Sequence, residues 1–283
     1  MREVRGTILE RIIADTQAEL AEAKRRCPVS ELERRLADAP PVRPFAAALR
    51  GRFSLIAELK VRSPSRGPMR PQNVAEAVSA YEQSLMVRAV SVLTNATHFG
   101  MSIERLAQVR AQCSKPVLRK EFIFDEYQVL EARAYGADAI LLMANLLDPE
   151  ELRRLYALAR ELGMDALFEC HTLEQITSVP PDAQLYGINS RSFNRSQADY
   201  AAAQATRGQG PNWDATTDLG QFQLGRYLPK QAVRVAESGL SPATIAGVRA
   251  LGWFDAVLVG SWLLLAPEGV FEALRAFEQA LAE

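Results

Sequence analysis

The chain has 283 residues, 48% of them hydrophobic and 24% charged, which suits one large domain or two small ones. Its 33 Lys and Arg offset 34 Asp and Glu, and the net charge of -1 argues against nucleic acid or a membrane surface as a partner. Cys27, Cys113 and Cys170 show no paired spacing and only His98 and His171 are present, so reduced thiols in a cytoplasmic protein are expected, with neither a disulfide framework nor a metal centre.

Residues 1–15 are charged throughout and lack the apolar core of a signal peptide, and no apolar run reaches membrane-spanning length. The stripe Ile8, Ile12, Ile13, Ala18 and Leu20 predicts a helix over 7–26. A second helix is expected over 29–39, capped by Ser30 and ended by Pro40, Pro41 and Pro44. Strand-like runs then follow at 54–59, 89–94, 116–119, 138–143, 165–169, 184–188, 232–236 and 255–260. Helix-like segments alternate with them at 72–84, 102–113, 126–136, 148–163, 172–178, 216–226, 241–251 and 267–282. Eight strands, each followed by a helix, predict a (β/α)8 TIM barrel spanning 1–283 as one domain, with 1–45 as a helical extension packed across one end. A doubly wound open sheet is disfavoured, because no Gly-x-Gly-x-x-Gly turn follows the first strand. Residues 194–214 have little periodicity and read as a long loop, mobile and partly covering the substrate.

The strands share one habit: they end in ionisable or small residues, at the edge where parallel α/β folds build chemistry. Glu58 and Lys60 lie two apart and so face the same way, suited to proton transfer; a plain ion pair at the barrel mouth is the alternative. Ser63, Pro64 and Ser65 begin a turn-rich loop able to fold over an anion, though most such loops are plain turns. Lys120 points inward while Arg119 alternates outward, and a desolvated lysine can act as a general acid. Glu169 ends an apolar strand, with a buried structural acid as the alternative. Asn189 and Arg191 can orient a hydroxyl and a carboxylate. Glu237-Ser238-Gly239 and Gly260-Ser261 end the last two strands, where barrels often bind phosphate on backbone N–H groups. His98 is read as a loop residue flanking the site, His171 as the start of a helix, Cys170 as a packed thiol, and Leu152, Leu155, Leu158 and Ala159 as core.

The motifs Ile56-Ala57-Glu58-Leu59-Lys60, Leu118-Arg119-Lys120-Glu121-Phe122, Gly187-Ile188-Asn189-Ser190-Arg191, Glu237-Ser238-Gly239 and Val259-Gly260-Ser261 follow one another in an order that resembles the indole-3-glycerol phosphate synthase family over nearly the whole chain. The resemblance implies closure of the ring of 1-(2-carboxyphenylamino)-1-deoxyribulose 5-phosphate, a phosphorylated small molecule, with loss of carbon dioxide and water, in tryptophan biosynthesis. It implies a carboxy-lyase that uses no cofactor or metal, and we expect a monomer or weak homodimer. Carried over by position, Lys120 is the general acid and Glu169 moves a proton in dehydration; Lys60 contacts the carboxylate and Glu58 positions it. Asn189, Arg191, Glu237 and Ser238 complete the polar ring, Ser63 and Pro64 belong to the covering loop, and Phe99, Phe122 and Leu141 wall the aromatic ring. Gly239, Gly260 and Ser261 hold phosphate. The chain departs from the family at Phe193-Asn194-Arg195-Ser196, where a family leucine that covers the substrate has no clear counterpart. A paralogue acting on a modified anthranilate, a sugar-phosphate isomerase of the same barrel group, and a non-catalytic ligand-binding barrel are the alternatives.

Overall fold

In the computed structural model, which describes residues 6–193, 196–205 and 214–282, all eight predicted strands form. They are β1 (Ser54–Leu59), β2 (Val87–Leu93), β3 (Val117–Lys120), β4 (Ala139–Met143), β5 (Asp165–Cys170), β6 (Leu185–Asn189), β7 (Val233–Glu237) and β8 (Ala256–Val259). Each is parallel to its neighbours, and Ser54 pairs with Ala256 to close β1 on β8. The barrel expected from the alternating pattern is therefore present. β1 and β4 are buried at every position, as strands covered by helices outside and packed side chains inside must be. The parallel register brings the chemistry to one level, because Leu93 pairs with Lys120, Met143 with Glu169, and Asn189 with Glu237.

The N-terminal extension differs from expectation in three ways. In the helix Ile8–Arg26, Ala18 is exposed and Thr16 is buried, continuing the four-residue ladder from Ile8 and Ile12 to Leu20. Thr16 donates to Ile12 O at 2.7 Å and accepts from Asn95, so its hydroxyl is satisfied. Ser30 does not cap the helix Val29–Ala37; Pro28 holds the N-cap position, and its carbonyl accepts from Glu31 and Leu32. Finally, the extension is not confined to one end. Helix Ile8–Arg26 lies by the mouth, with Asp15 2.9 Å from His98 Nε2, and Leu32 packs on Tyr127 at the flank. The chain then crosses the opposite end, where Asp138 and Asp165 accept from the backbone of Arg43 and Ala46.

The 194–214 segment is not a loop throughout. Gln197–Ala205 is an α-helix, while 194–195 and 206–213 lie outside the described residues. Its signal was present as Ser196-x-x-Asp199, a reciprocal cap in which Ser196 Oγ accepts from Asp199 N and Asp199 Oδ2 accepts from Ser196 N. The helix expected at 216–226 is instead a 3-10 helix, Leu219–Tyr227, in a Gly- and Gln-rich stretch. A small hairpin, Arg62–Ser63 with Gly67–Pro68, lifts the loop after β1 over the mouth.

Candidate active site

At the mouth, β3, β5 and β7 aim a cation and two acids at one point. Lys120 Nζ lies 3.1 Å from Glu169 Oε2 and 2.5 Å from Glu237 Oε2. Both carboxyls are only 1% exposed. Burial alone would pull the Lys120 ammonium down, but Glu237, Glu169 and Glu58 outweigh it and hold Lys120 above its ordinary value. This differs from the lysine of lowered basicity that desolvation by itself suggests: Lys120 is a firmly charged ammonium in a carboxylate cage.

The two acids are pushed apart. Burial raises Glu237 to about 7, with the Lys120 charge opposing the rise and the like charges of Glu169 and Glu58 adding to it. Burial acts on Glu169 too, but Lys120, His171 and a hydrogen bond from Asn189 overcome it, and its pKa falls below the ordinary value. Such splitting gives one ionised carboxylate and one poised near neutrality, the division of labour that acid–base catalysis uses. Glu169 Oε1 and Glu237 Oε1 are buried without a hydrogen-bond partner among the described residues.

A second pair stands beside the first. Lys60 Nζ is 2.6 Å from Glu58 Oε1, both side chains being buried. Tyr81 donates to the Glu58 carbonyl from behind the strand.

Arg191 is less available than its sequence position suggests. Its guanidinium donates to Asp214 Oδ2 at 2.9 Å, to Ser65 Oγ at 2.5 Å and to Thr216 Oγ1. It thus ties the loop after β1 to the chain after β6. Burial lowers the Asp214-paired guanidinium, yet Asp214 prevails and Arg191 sits above its ordinary value. Asn189 Oδ1 accepts from Arg191 N at 2.9 Å.

Every residue proposed from the sequence as catalytic, substrate-binding or phosphate-binding lines one cleft, except Glu237, which is fully buried against Lys120. The cleft holds about 890 Å³ of empty space, partly open to solvent. Phe99 and Phe122 stack with ring centres 6.4 Å apart, and Leu141 joins this apolar side. Ser238 (φ 70°) and Gly239 (φ 68°) turn the chain through the left-handed region after β7. Ser261 Oγ, buried at the start of the short helix Ser261–Leu265, has no hydrogen-bond partner among the described residues.

Sequence reasoning missed Ile12, Phe193, Tyr200 and Trp262 in the cleft wall, and Asp214 and Thr216 behind Arg191. Phe193 was visible as the aromatic two residues beyond Arg191; its edge meets Phe122 at 6.4 Å. Ile12 could not be found this way, because any apolar residue of an amphipathic helix has the same pattern. Among the described residues no group of His, Cys, Asp or Glu could hold a metal ion, no helix is long and apolar enough to cross a membrane, and Cys27, Cys113 and Cys170 are buried thiols outside any disulfide.

The family model for indole-3-glycerol phosphate synthase matches residues 9–205. "Indole-3-glycerol phosphate synthase 2" of Streptomyces coelicolor is 38% identical over 262 residues, covering 92% of this chain and 94% of its own. Indole-3-glycerol phosphate synthase of Micrococcus luteus is 39% identical over 285 residues, covering 97% and 98%. Among solved structures, 3-hexulose-6-phosphate synthase from Salmonella typhimurium superposes with a TM-score of 0.57 over 81% of this chain and 99% of that one; at 16% identity this shows the barrel fold alone. With the model covering most of the chain and full-length relatives well above 30% identity, the chain belongs to the indole-3-glycerol phosphate synthase family.

Proposed function

We propose that this protein closes the indole ring of 1-(2-carboxyphenylamino)-1-deoxyribulose 5-phosphate and is a carboxy-lyase of tryptophan biosynthesis. The observation that carries the reading is the Lys120 ammonium held between Glu169 and Glu237, beside the Lys60–Glu58 pair and an aromatic wall. That set matches a substrate with an aromatic carboxylate, a ketone and a phosphate.

The steps follow from the groups. The ring carbon bearing the carboxylate attacks the ketone carbon, and Lys120 gives a proton to the ketone oxygen as the carbon–carbon bond forms. The carboxylate leaves as carbon dioxide, returning its bonding electrons to the ring. The new hydroxyl then departs as water, protonated by Lys60 or by the recharged Lys120, while Glu169 removes the proton from the adjacent carbon. Glu237 near neutrality returns a proton to Lys120. Glu58 holds Lys60 at the carboxylate, and Asn189 orients the hydroxyl. Phosphate sits on the backbone of Gly239, Gly260 and Ser261, with Ser238 at its edge. Ser63 and Pro64 cover the substrate from the hairpin after β1, and Phe99, Phe122 and Leu141 hold the aromatic ring.

We further infer that the barrel and residues 1–45 form one folding unit, since Ile12 reaches the cleft wall and Arg43 and Ala46 bond the opposite end. The buried cysteines, none of them in a disulfide, fit a reducing cytoplasm. Incubation with the carboxyphenylamino-deoxyribulose phosphate should produce indole fluorescence together with stoichiometric carbon dioxide; a chain that yields neither is not this enzyme.

A further inference from the structure

The cleft has an outer wall that the proton chemistry leaves unused. Helix Gln197–Ala205 exposes Ala198, Asp199, Ala201 and Ala202, and Tyr200 alone among its described side chains is buried, at 3% exposure. A short helix so exposed gains little from burial apart from that ring. Tyr200 lines the cleft, and its hydroxyl donates to Ser192 O at 2.9 Å. The ring is therefore fixed at two points: by the helix backbone, and by a tether to the residue between Arg191 and Phe193. Phe193 continues the wall, meeting Phe122 edge-on and His171 at 6.1 Å. A tyrosine that served only to dock the helix would face the barrel flank; this one lines the cleft, tethered beside Phe193, whose edge meets Phe122 of the aromatic wall. Its rigid ring, with a polar tip already bonded, makes a wall that yields little to a larger ligand.

We propose that Tyr200, held by Ser192, closes the aromatic end of the cleft and is a specificity-determining residue that excludes anthranilate rings carrying extra substituents. This rests on the ring-closure reading above and adds the substrate class. A methyl or chloro group on the ring would have to displace Tyr200 or break its tether, and pocket contacts of that size discriminate by about 10- to 200-fold.

The test compares the unsubstituted substrate with its ring-methylated analogue. Tyr200→Ala is expected to raise the ratio of kcat/KM for the methylated over the unsubstituted substrate by about tenfold or more. Tyr200→Phe, which keeps the ring and loses the tether, is expected to give a smaller rise. A ratio unchanged within about twofold in Tyr200→Ala overturns the proposal, because uniform loss of packing would lower both substrates alike. If Tyr200→Ala fails to fold by circular dichroism, Tyr200→Leu and Tyr200→Trp replace it. Leu should raise the ratio and Trp lower it, and no change in either overturns the proposal. A wild type that turns over neither substrate overturns the ring-closure reading instead. The Tyr200 comparison is then read from binding of indole-3-glycerol phosphate and its ring-methylated counterpart, by quenching of Trp262 in the cleft wall, with an unchanged affinity ratio again counting against it.

Discussion

Gly187 on β6 makes room for Glu237 on β7: a Cβ at Gly187 would overlap Glu237 Oε1 and come within 3.3 Å of Leu167 Cδ1. The carboxyl that grips Lys120 therefore depends on a missing side chain one strand away. Gly260 does the same for Glu58, whose Oε1 would lie 2.5 Å from an added Cβ. Each carboxyl occupies space that a glycine on a neighbouring strand or strand end leaves open, and an added Cβ there would displace it.

Gly187→Ala should push the Glu237 carboxyl off Lys120. We expect kcat to fall by about tenfold or more, with overpacking costing on the order of 1–3 kcal/mol of stability. The kinetics of purified, folded protein and a urea denaturation curve check this; normal kcat in the alanine variant would show that the Lys120–Glu237 contact is dispensable.

Lys120→Ala should remove most of kcat, by about a hundredfold or more, if the ammonium protonates the ketone oxygen. Binding of indole-3-glycerol phosphate should persist, because the aromatic wall and the turns at Gly239 and Gly260 remain. Near-normal turnover would move the acid role elsewhere, with Lys60 the next candidate.

Stability should depend on pH through Glu237. Its folded value of about 7 lies above the ordinary 4.5, so between those two the folded chain holds a proton that the unfolded chain has released. Stability therefore declines as pH rises through that window, and the decline is complete above about 7. Glu169, lowered in the folded chain, contributes the opposite way: its stabilisation is present above the ordinary carboxylate value and is lost as pH falls through its folded value. Glu237→Gln should flatten the slope between about pH 5 and 7 while leaving the acid-side loss, as urea denaturation across a pH series would reveal. A slope unaltered by the substitution would assign the titration to another group.

The anion site should answer to Gly239. Its φ of 68° suits glycine, and an added Cβ would lie 2.7 Å from Thr217 Oγ1. Gly239→Val should weaken competitive inhibition by inorganic phosphate by about tenfold, since a charge-assisted backbone contact is worth on the order of 1.5–3 kcal/mol. Phosphate inhibition that survives intact would place the anion on another face of the cleft.

The sequence by itself determined the barrel and most of its chemical ring. Alternation of β-rich runs and amphipathic segments is a local property, and strand ends carrying Glu58, Lys120, Glu169 and Asn189 mark the C-terminal edge wherever the strands pack. Tertiary structure decided the rest, because it depended on distances between strands far apart in the chain. That Lys120 would be caged by Glu237 and stay charged follows from a β3–β7 contact across the lumen, which no spacing encodes. Likewise, Arg191 is drawn to Asp214 and Ser65, and Tyr200 and Ile12 become cleft walls, only once the extension and the segment after β6 fold over the mouth. Burial then sets the electrostatics: in low dielectric the like charges of Glu169 and Glu237 cannot both ionise freely, and the split between them is a property of the assembled site.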